Sequence, residues 1–135
     1  MTQKLHEDIF LWKNSIPEKI QKEILQILKE QAELFYSPKL KNGYSMSLKM
    51  LCLGQHWNAM DNKYYHNRID YDRLPAPVIP AILSSFAKEI SDNLYPNCSA
   101  PFDICIMNVY VPGTRLGMHR DNAETIKSIS AGYPV

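Results

Sequence analysis

The chain has 135 residues, the size of one ordinary domain, and 45% of them are hydrophobic, which suits a packed core and excludes wholesale disorder. Its formal net charge is +1 with an isoelectric point near 7.7, which excludes a bulk electrostatic nucleic-acid binder but not an enzyme with a local basic patch. The first residues, "MTQKLHEDIFLWK", carry acids early and form no secretory signal, and no run approaches the roughly 20 apolar residues of a membrane span.

In chain order, "IFLW" (Ile9 to Trp12) reads as a short first strand after an N-terminal tail that holds His6. Ser15 and Glu18 have capping-box spacing and Pro17 suits a first helical turn. Ile20, Ile24, Ile27 and Leu28 then recur at helical spacing, so a helix is predicted that continues to Phe35. "SPKLKNG" is a loop, and Tyr44 to Gly54 is a predicted strand. The following "QHWNAMDNKYYHNRIDYDRLPAP" shows no sustained period and mixes aromatic with polar residues, which marks a long irregular segment. Its rings serve either a site or the edge of a core, and His56 and His66 read as surface or pocket-lining residues.

Ile79, Ile82, Leu83, Phe86, Ile90 and Leu94 share one helical face, closed by "YPNCSAP". "FDICIMNVYV" is a strand, "PGTR" a turn and "LGMHRD" a second short strand, and "IKSISAGYPV" begins another. Strands and helices occur without regular alternation, so the predicted class is α+β, with helices packed on one side of a mainly antiparallel sheet. The three cysteines, Cys52, Cys98 and Cys105, match no zinc pattern and read as reduced, packed thiols of a cytoplasmic protein.

The chemistry concentrates in "IMNVYVPGTRLGMHRDNAE". Side chains alternate along a strand, so Asn108 and Tyr110 share a face, as do His119 and Asp121. An imidazole and a carboxylate two residues apart can occupy adjacent positions on one metal ion, and a further imidazole would complete a two-His-one-carboxylate triad. His-x-Asp alone is more often a surface ion pair. Here a polar Asn108 stands in an otherwise apolar strand, and Pro112-Gly113 turns the chain back toward the His-Asp pair.

"NVYVPGTRLGMHRDNAE" resembles the AlkB family of Fe(II)/2-oxoglutarate-dependent dioxygenases, through Asn108, Tyr110, Pro112, Gly113, Arg115, Leu116, His119, Asp121 and Glu124. Upstream, "NGYSMSLKMLCLGQHWNAMDNKYY" is similar to the family's Gly-Tyr-x-Met-Ser strand with its Trp and later Tyr, and the resemblance covers most of Ile9 to Val135. It implies a single domain over residues 1–135 with a partial double-stranded β-helix (jelly-roll-like) and N-terminal helices on the sheet. It implies His119 and Asp121 as catalytic iron ligands, and Asn108 and Tyr110 as hydrogen-bonding partners of 2-oxoglutarate. Trp57 and Tyr64 would lie by a pocket for an alkylated nucleic-acid base, with Met46, Ser47, Arg115 and Glu124 at the substrate. Lys63 is a candidate phosphate contact, although a solvated role suits it better. Ala123 stands where the family prototype has a second base-reading acid.

The implied activity is oxidative demethylation of N-alkylated bases in DNA or RNA, with formaldehyde lost from a hydroxymethyl product. The family's second iron histidine and its 2-oxoglutarate-pairing arginines lie further downstream than Val135. The expectation is therefore a C-terminally truncated domain, inactive in isolation. An oxygenase acting on protein or lipid, and a remnant that turns over nothing, stand as alternatives.

Overall fold

The computed structural model describes residues 2–7, 9–96 and 101–117. Its elements are strands β1 (Thr2–His6) and β2 (Ile9–Trp12), helix α1 (Glu18–Glu30), strands β3 (Lys49–Leu53), β4 (His56–Asn58) and β5 (Lys63–Tyr65), helix α2 (Ala81–Leu94) and strand β6 (Cys105–Val109). The strands form three antiparallel pairs, β1–β2, β3–β6 and β4–β5. A single mainly antiparallel sheet was the expectation; among the described residues it is divided into three ribbons, and a full double-stranded β-helix is not seen in them.

β2 forms where a strand was predicted, and it pairs with β1, which lies in the segment read as a tail. The predicted helix is present but shorter. Ile20 and Ile27 bury one stripe of α1. No side chain caps its start: Ser15 Oγ donates to the Lys13 carbonyl, and the Pro17 carbonyl accepts from the amides of Ile20 and Gln21. The capping box therefore does not form. After Glu30 a 3₁₀ turn, Ala32–Leu34, tightens the chain, and Phe35 is already extended. This turn drops Phe35 into the core, where a continued α-helix would have carried it around the axis.

The β3–β6 ribbon organises the rest. Its register pairs Lys49 with Val109, Met50 with Asn108, Leu51 with Met107, Cys52 with Ile106 and Leu53 with Cys105. Leu51 and Leu53 form a core with Ile27 and Phe35, against which Leu28, Leu83, Cys105, Met107 and Val109 pack. The helices thus cover one face of the ribbon, as predicted. Leu48, Met50 and Cys52 alternate to the opposite face and form a second cluster with Tyr36, Met46 and Trp57.

Gly54 ends β3 with a φ of +84°, and its amide donates to the Pro77 carbonyl at 2.7 Å. A Cβ placed there would meet the Asp103 carbonyl oxygen at 2.3 Å, so only glycine lets the chains before α2 and β6 cross here.

Candidate functional site

The face of the β3–β6 ribbon turned away from the helices carries the candidate site. Asn108 lies opposite Met50, so it shares that face with the Leu48, Met50 and Cys52 cluster. Met50 is buried while Asn108 is exposed, and Tyr110, just beyond the strand, is 52% exposed. Among the described residues neither the Asn108 carboxamide nor the Tyr110 hydroxyl is engaged in a hydrogen bond. Met46 and Trp57 pack on the same cluster. Met46, Trp57 and Asn108, read separately from sequence, are therefore brought to one surface.

The segment read as irregular contains a hairpin. β4 and β5 pair His56 with Tyr65, Trp57 with Tyr64 and Asn58 with Lys63. Trp57 and Tyr64 are direct cross-strand partners and share one face, where such pairs stabilise a ribbon. Trp57 Nε1 donates to Asn62 Oδ1 at 2.8 Å, and Asn62 occupies the left-handed region with a φ of 56°. Tyr65 hydrogen-bonds Asp61, and that carboxylate pushes the phenol's pKa up. Strands of three residues are too short to display a period, so this hairpin was not visible in the pattern.

Ser47 has a backbone partner. Its Oγ donates to the Arg115 carbonyl at 2.9 Å and receives the Arg115 amide at 3.3 Å. The hydroxyl thus ties the entry of β3 to the loop after β6, which turns through Gly113 at a φ of +89° with Thr114 bonded to the Val111 carbonyl. Expected at the substrate, Ser47 has its hydroxyl engaged with Arg115. The Arg115 and Lys63 side chains are exposed. His119, Asp121 and Glu124 lie outside the described residues.

One cluster escaped sequence reasoning. His56, expected at a surface or pocket, is completely buried. Its Nε2 lies 2.5 Å from Asp70 Oδ1 and 3.0 Å from the Tyr36 hydroxyl, which donates to Asp70 Oδ2 at 2.8 Å. Both Asp70 oxygens accept, so Nε2 is the donating nitrogen of His56, and among the described residues Nδ1 is buried without a partner. Burial, reinforced by the Asp70 carboxylate, drives the Tyr36 pKa far up, so the phenol stays a donor. Tyr36 stacks on Tyr71 at 4.8 Å between centroids, and the Arg68 guanidinium lies 5.2 Å from the Tyr71 ring. Arg68 is 1% exposed, paired with Asp72 through Nε at 3.0 Å and through Nη2, and its burial lowers its pKa. No periodicity could have revealed a group assembled from Tyr36, His56 and Asp70.

Among the described residues no three His, Cys, Asp or Glu side chains gather as a metal site. Nor is any helix among them long and apolar enough to cross a membrane.

Comparison with known proteins gives the same picture. The 2OG-Fe(II) oxygenase superfamily model matches residues 8–135. The chain is 36% identical over 115 residues to the DNA N(6)-methyladenine demethylase ALKBH1C of Arabidopsis thaliana, covering 75% of this chain and 25% of that protein. It is 30% identical over 100 residues to the alpha-ketoglutarate-dependent dioxygenase AlkB of Escherichia coli (strain K12), covering 68% of this chain and 45% of that protein. The solved structure of OsALKBH1 superposes with a TM-score of 0.71 at 28% identity, over 93% of this chain and 62% of that one. The chain thus spans about a quarter of the length of the first of these relatives. The open face carrying Asn108 and Trp57, the family match along nearly the whole chain and the likeness to these proteins agree: the chain belongs to the 2OG-Fe(II) oxygenase superfamily, among its AlkB-like members.

Proposed function

We propose that this chain belongs to an AlkB-like dioxygenase that removes N-methyl groups from nucleic-acid bases by oxidation. The observation that carries this reading is the shared face on which Trp57 packs on the Leu48, Met50 and Cys52 cluster and the exposed Asn108 pairs with Met50. A flat aromatic wall next to unengaged hydrogen-bonding groups suits a base stacked beside a small dicarboxylate. The relatives that act on N(6)-methyladenine in DNA by name support a purine N-methyl group as the substrate.

Fe(II) and 2-oxoglutarate are the cofactor and co-substrate of the family. The described residues fit the organic co-substrate: a carboxamide and a phenol, both exposed and without intramolecular partners among those residues, can donate to carboxylate or keto oxygens. His119 and Asp121 would supply the donor chemistry for iron, an imidazole and a carboxylate. When bound, iron supplies dioxygen activation, and 2-oxoglutarate supplies two electrons by decarboxylating to succinate.

The residues of the chain bind and orient. Trp57 and Tyr64 would hold an extruded base against one wall, which replaces the stacking lost on leaving the strand. The buried Leu48, Met50 and Cys52 cluster behind Trp57 keeps that wall from collapsing inward. The Ser47 bridge to Arg115 fixes the chain entering the His119–Asp121 segment relative to β3, so that metal and base stay in register.

The test is release of formaldehyde and succinate by the full-length protein with Fe(II), 2-oxoglutarate and oligonucleotides carrying N(6)-methyladenine or N1-methyladenine, in single-stranded DNA, duplex DNA and RNA. Turnover on one of these supports the reading. Succinate formed with methylated peptides, and none with any oligonucleotide, replaces the substrate class.

A further inference from the structure

We propose that His56, held by Asp70 and Tyr36, is a positioning residue that fixes the aromatic wall made by Trp57 and Tyr64. This rests on the reading of that wall as the base-binding surface. Trp57 follows His56 on β4, and side chains alternate along a strand. His56 and Asn58 are both buried, so they anchor the hairpin, while Trp57 and Tyr64 occupy its other face.

The anchor joins three stretches of chain that are otherwise separate. Tyr36 follows the 3₁₀ turn after α1, His56 begins β4, and Asp70 lies in the loop after β5. Tyr36 also packs on the Leu48, Met50 and Cys52 cluster that backs Trp57. The same phenol therefore touches both the surface behind the tryptophan and the clamp beside it.

The chemistry is specific. The Asp70 carboxylate receives a proton-bearing nitrogen on one oxygen and a phenol on the other. Removing either donor leaves a carboxylate that is only partly exposed short of a partner. Among the described residues His56 Nδ1 is buried and unpartnered, a cost that an apolar residue of similar size would avoid. Buried polar groups of this kind hold one geometry rather than add stability, because a hydrogen bond fixes direction where an apolar contact does not.

These 135 residues contain two tryptophans, so in a protein made of them Trp12→Phe leaves Trp57 as the single reporter. In that background, His56→Leu, which keeps bulk and removes the hydrogen bond, shifts Trp57 emission to the red and raises its quenching by acrylamide. The helical circular dichroism signal stays unchanged. His56→Gln, whose side-chain amide can still donate to Asp70, restores the parent emission. Asp70→Leu, which removes both acceptor oxygens, serves as a second variant should His56→Leu fail to fold, and shifts the emission in the same direction. In the full-length protein, His56→Leu weakens binding of a single-stranded N(6)-methyladenine oligonucleotide about tenfold, the loss of roughly one base stack.

Unchanged Trp57 emission in folded His56→Leu or Asp70→Leu overturns the proposal. So does His56→Gln behaving like His56→Leu, because the hydrogen bond would then not be the agent. Altered emission with unaltered oligonucleotide affinity supports the clamp and removes Trp57 from the base-binding wall, so the two readings fail separately.

Discussion

Asn108 stands directly across the β3–β6 ribbon from Met50, so a solvent-exposed carboxamide and a methionine that is 2% exposed share one face. The methionine belongs to the packed cluster, and the carboxamide lies at its open border. Asn108→Ala is therefore expected to leave the melting temperature within the range of ordinary surface substitutions, about 0.5 kcal/mol. In the full-length protein it weakens 2-oxoglutarate by about 1 kcal/mol, the worth of one hydrogen bond. Calorimetric titration beside a thermal melt separates the two effects. A large fall in melting temperature would mean that Asn108 serves the fold.

Gly54 makes the opposite prediction. Its φ of +84° and the 2.3 Å approach of the Asp103 carbonyl to a Cβ both forbid a side chain. Gly54→Ala should cost about 1–3 kcal/mol, read as a lower urea midpoint, since either the left-handed conformation or the crossing must yield. Gly43 has a similar φ with open space around it, so Gly43→Ala isolates the conformational part and should cost less.

Burial pushes the Cys52 thiol from its ordinary value near 9 up to about 12, and burial raises Cys105 in the same direction. The folded state holds the proton more tightly than the unfolded chain. This contribution is complete below about pH 9 and is lost as pH rises toward about 12. Cys52→Ala should therefore flatten the alkaline fall in stability relative to the parent, measured as urea midpoints between pH 8 and pH 11. Alkylation of Cys52 by iodoacetamide at neutral pH should proceed only through unfolding.

A protein made of these 135 residues alone should yield no succinate from 2-oxoglutarate and Fe(II). Completing a triad with His119 and Asp121 needs another imidazole, and His56 is closed off by burial and by Asp70. His66 is exposed at the end of the aromatic hairpin and His6 belongs to the N-terminal ribbon. Assaying the isolated segment beside the full-length protein checks this. Turnover by the segment would mean that one of these histidines, or a second chain, supplies the ligand.

What could be read from sequence divides along physical lines. α1 and α2 were legible because a stripe repeating every third or fourth residue, such as Ile20, Ile24 and Ile27, is the imprint of a helix with one buried face. β6 was legible because its polar Asn108 interrupts an apolar alternation, and the long motif around it named the family. The end of α1 was misjudged because Phe35 continues the helical spacing while the chain tightens into a 3₁₀ turn before it. β4 and β5 were missed because three residues carry no period, and their pairing is set by the turn through Asn62. His56 was misplaced for a deeper reason. Its burial depends on Tyr36 and Asp70, which lie 20 and 14 residues away, and nothing local marks them as partners. Placement of the His119, Asp121 and Glu124 side chains falls outside the described residues.

The Ser47 bridge to Arg115 spans 68 residues of sequence, and the β3–β6 ribbon beside it closes a loop of comparable length. Such contacts form only after the intervening chain has paid its ordering entropy, whereas the β4–β5 hairpin can close locally. The hairpin that presents Trp57 is thus free to fold early, and the strand carrying Asn108 is added late. Pulse-labelling hydrogen exchange should find the amides of β4 and β5 protected before those of β6. The order of assembly would leave the aromatic wall waiting for the strand that leads to the metal ligands, so a ribosome must release β6 before the face carrying both Trp57 and Asn108 is complete.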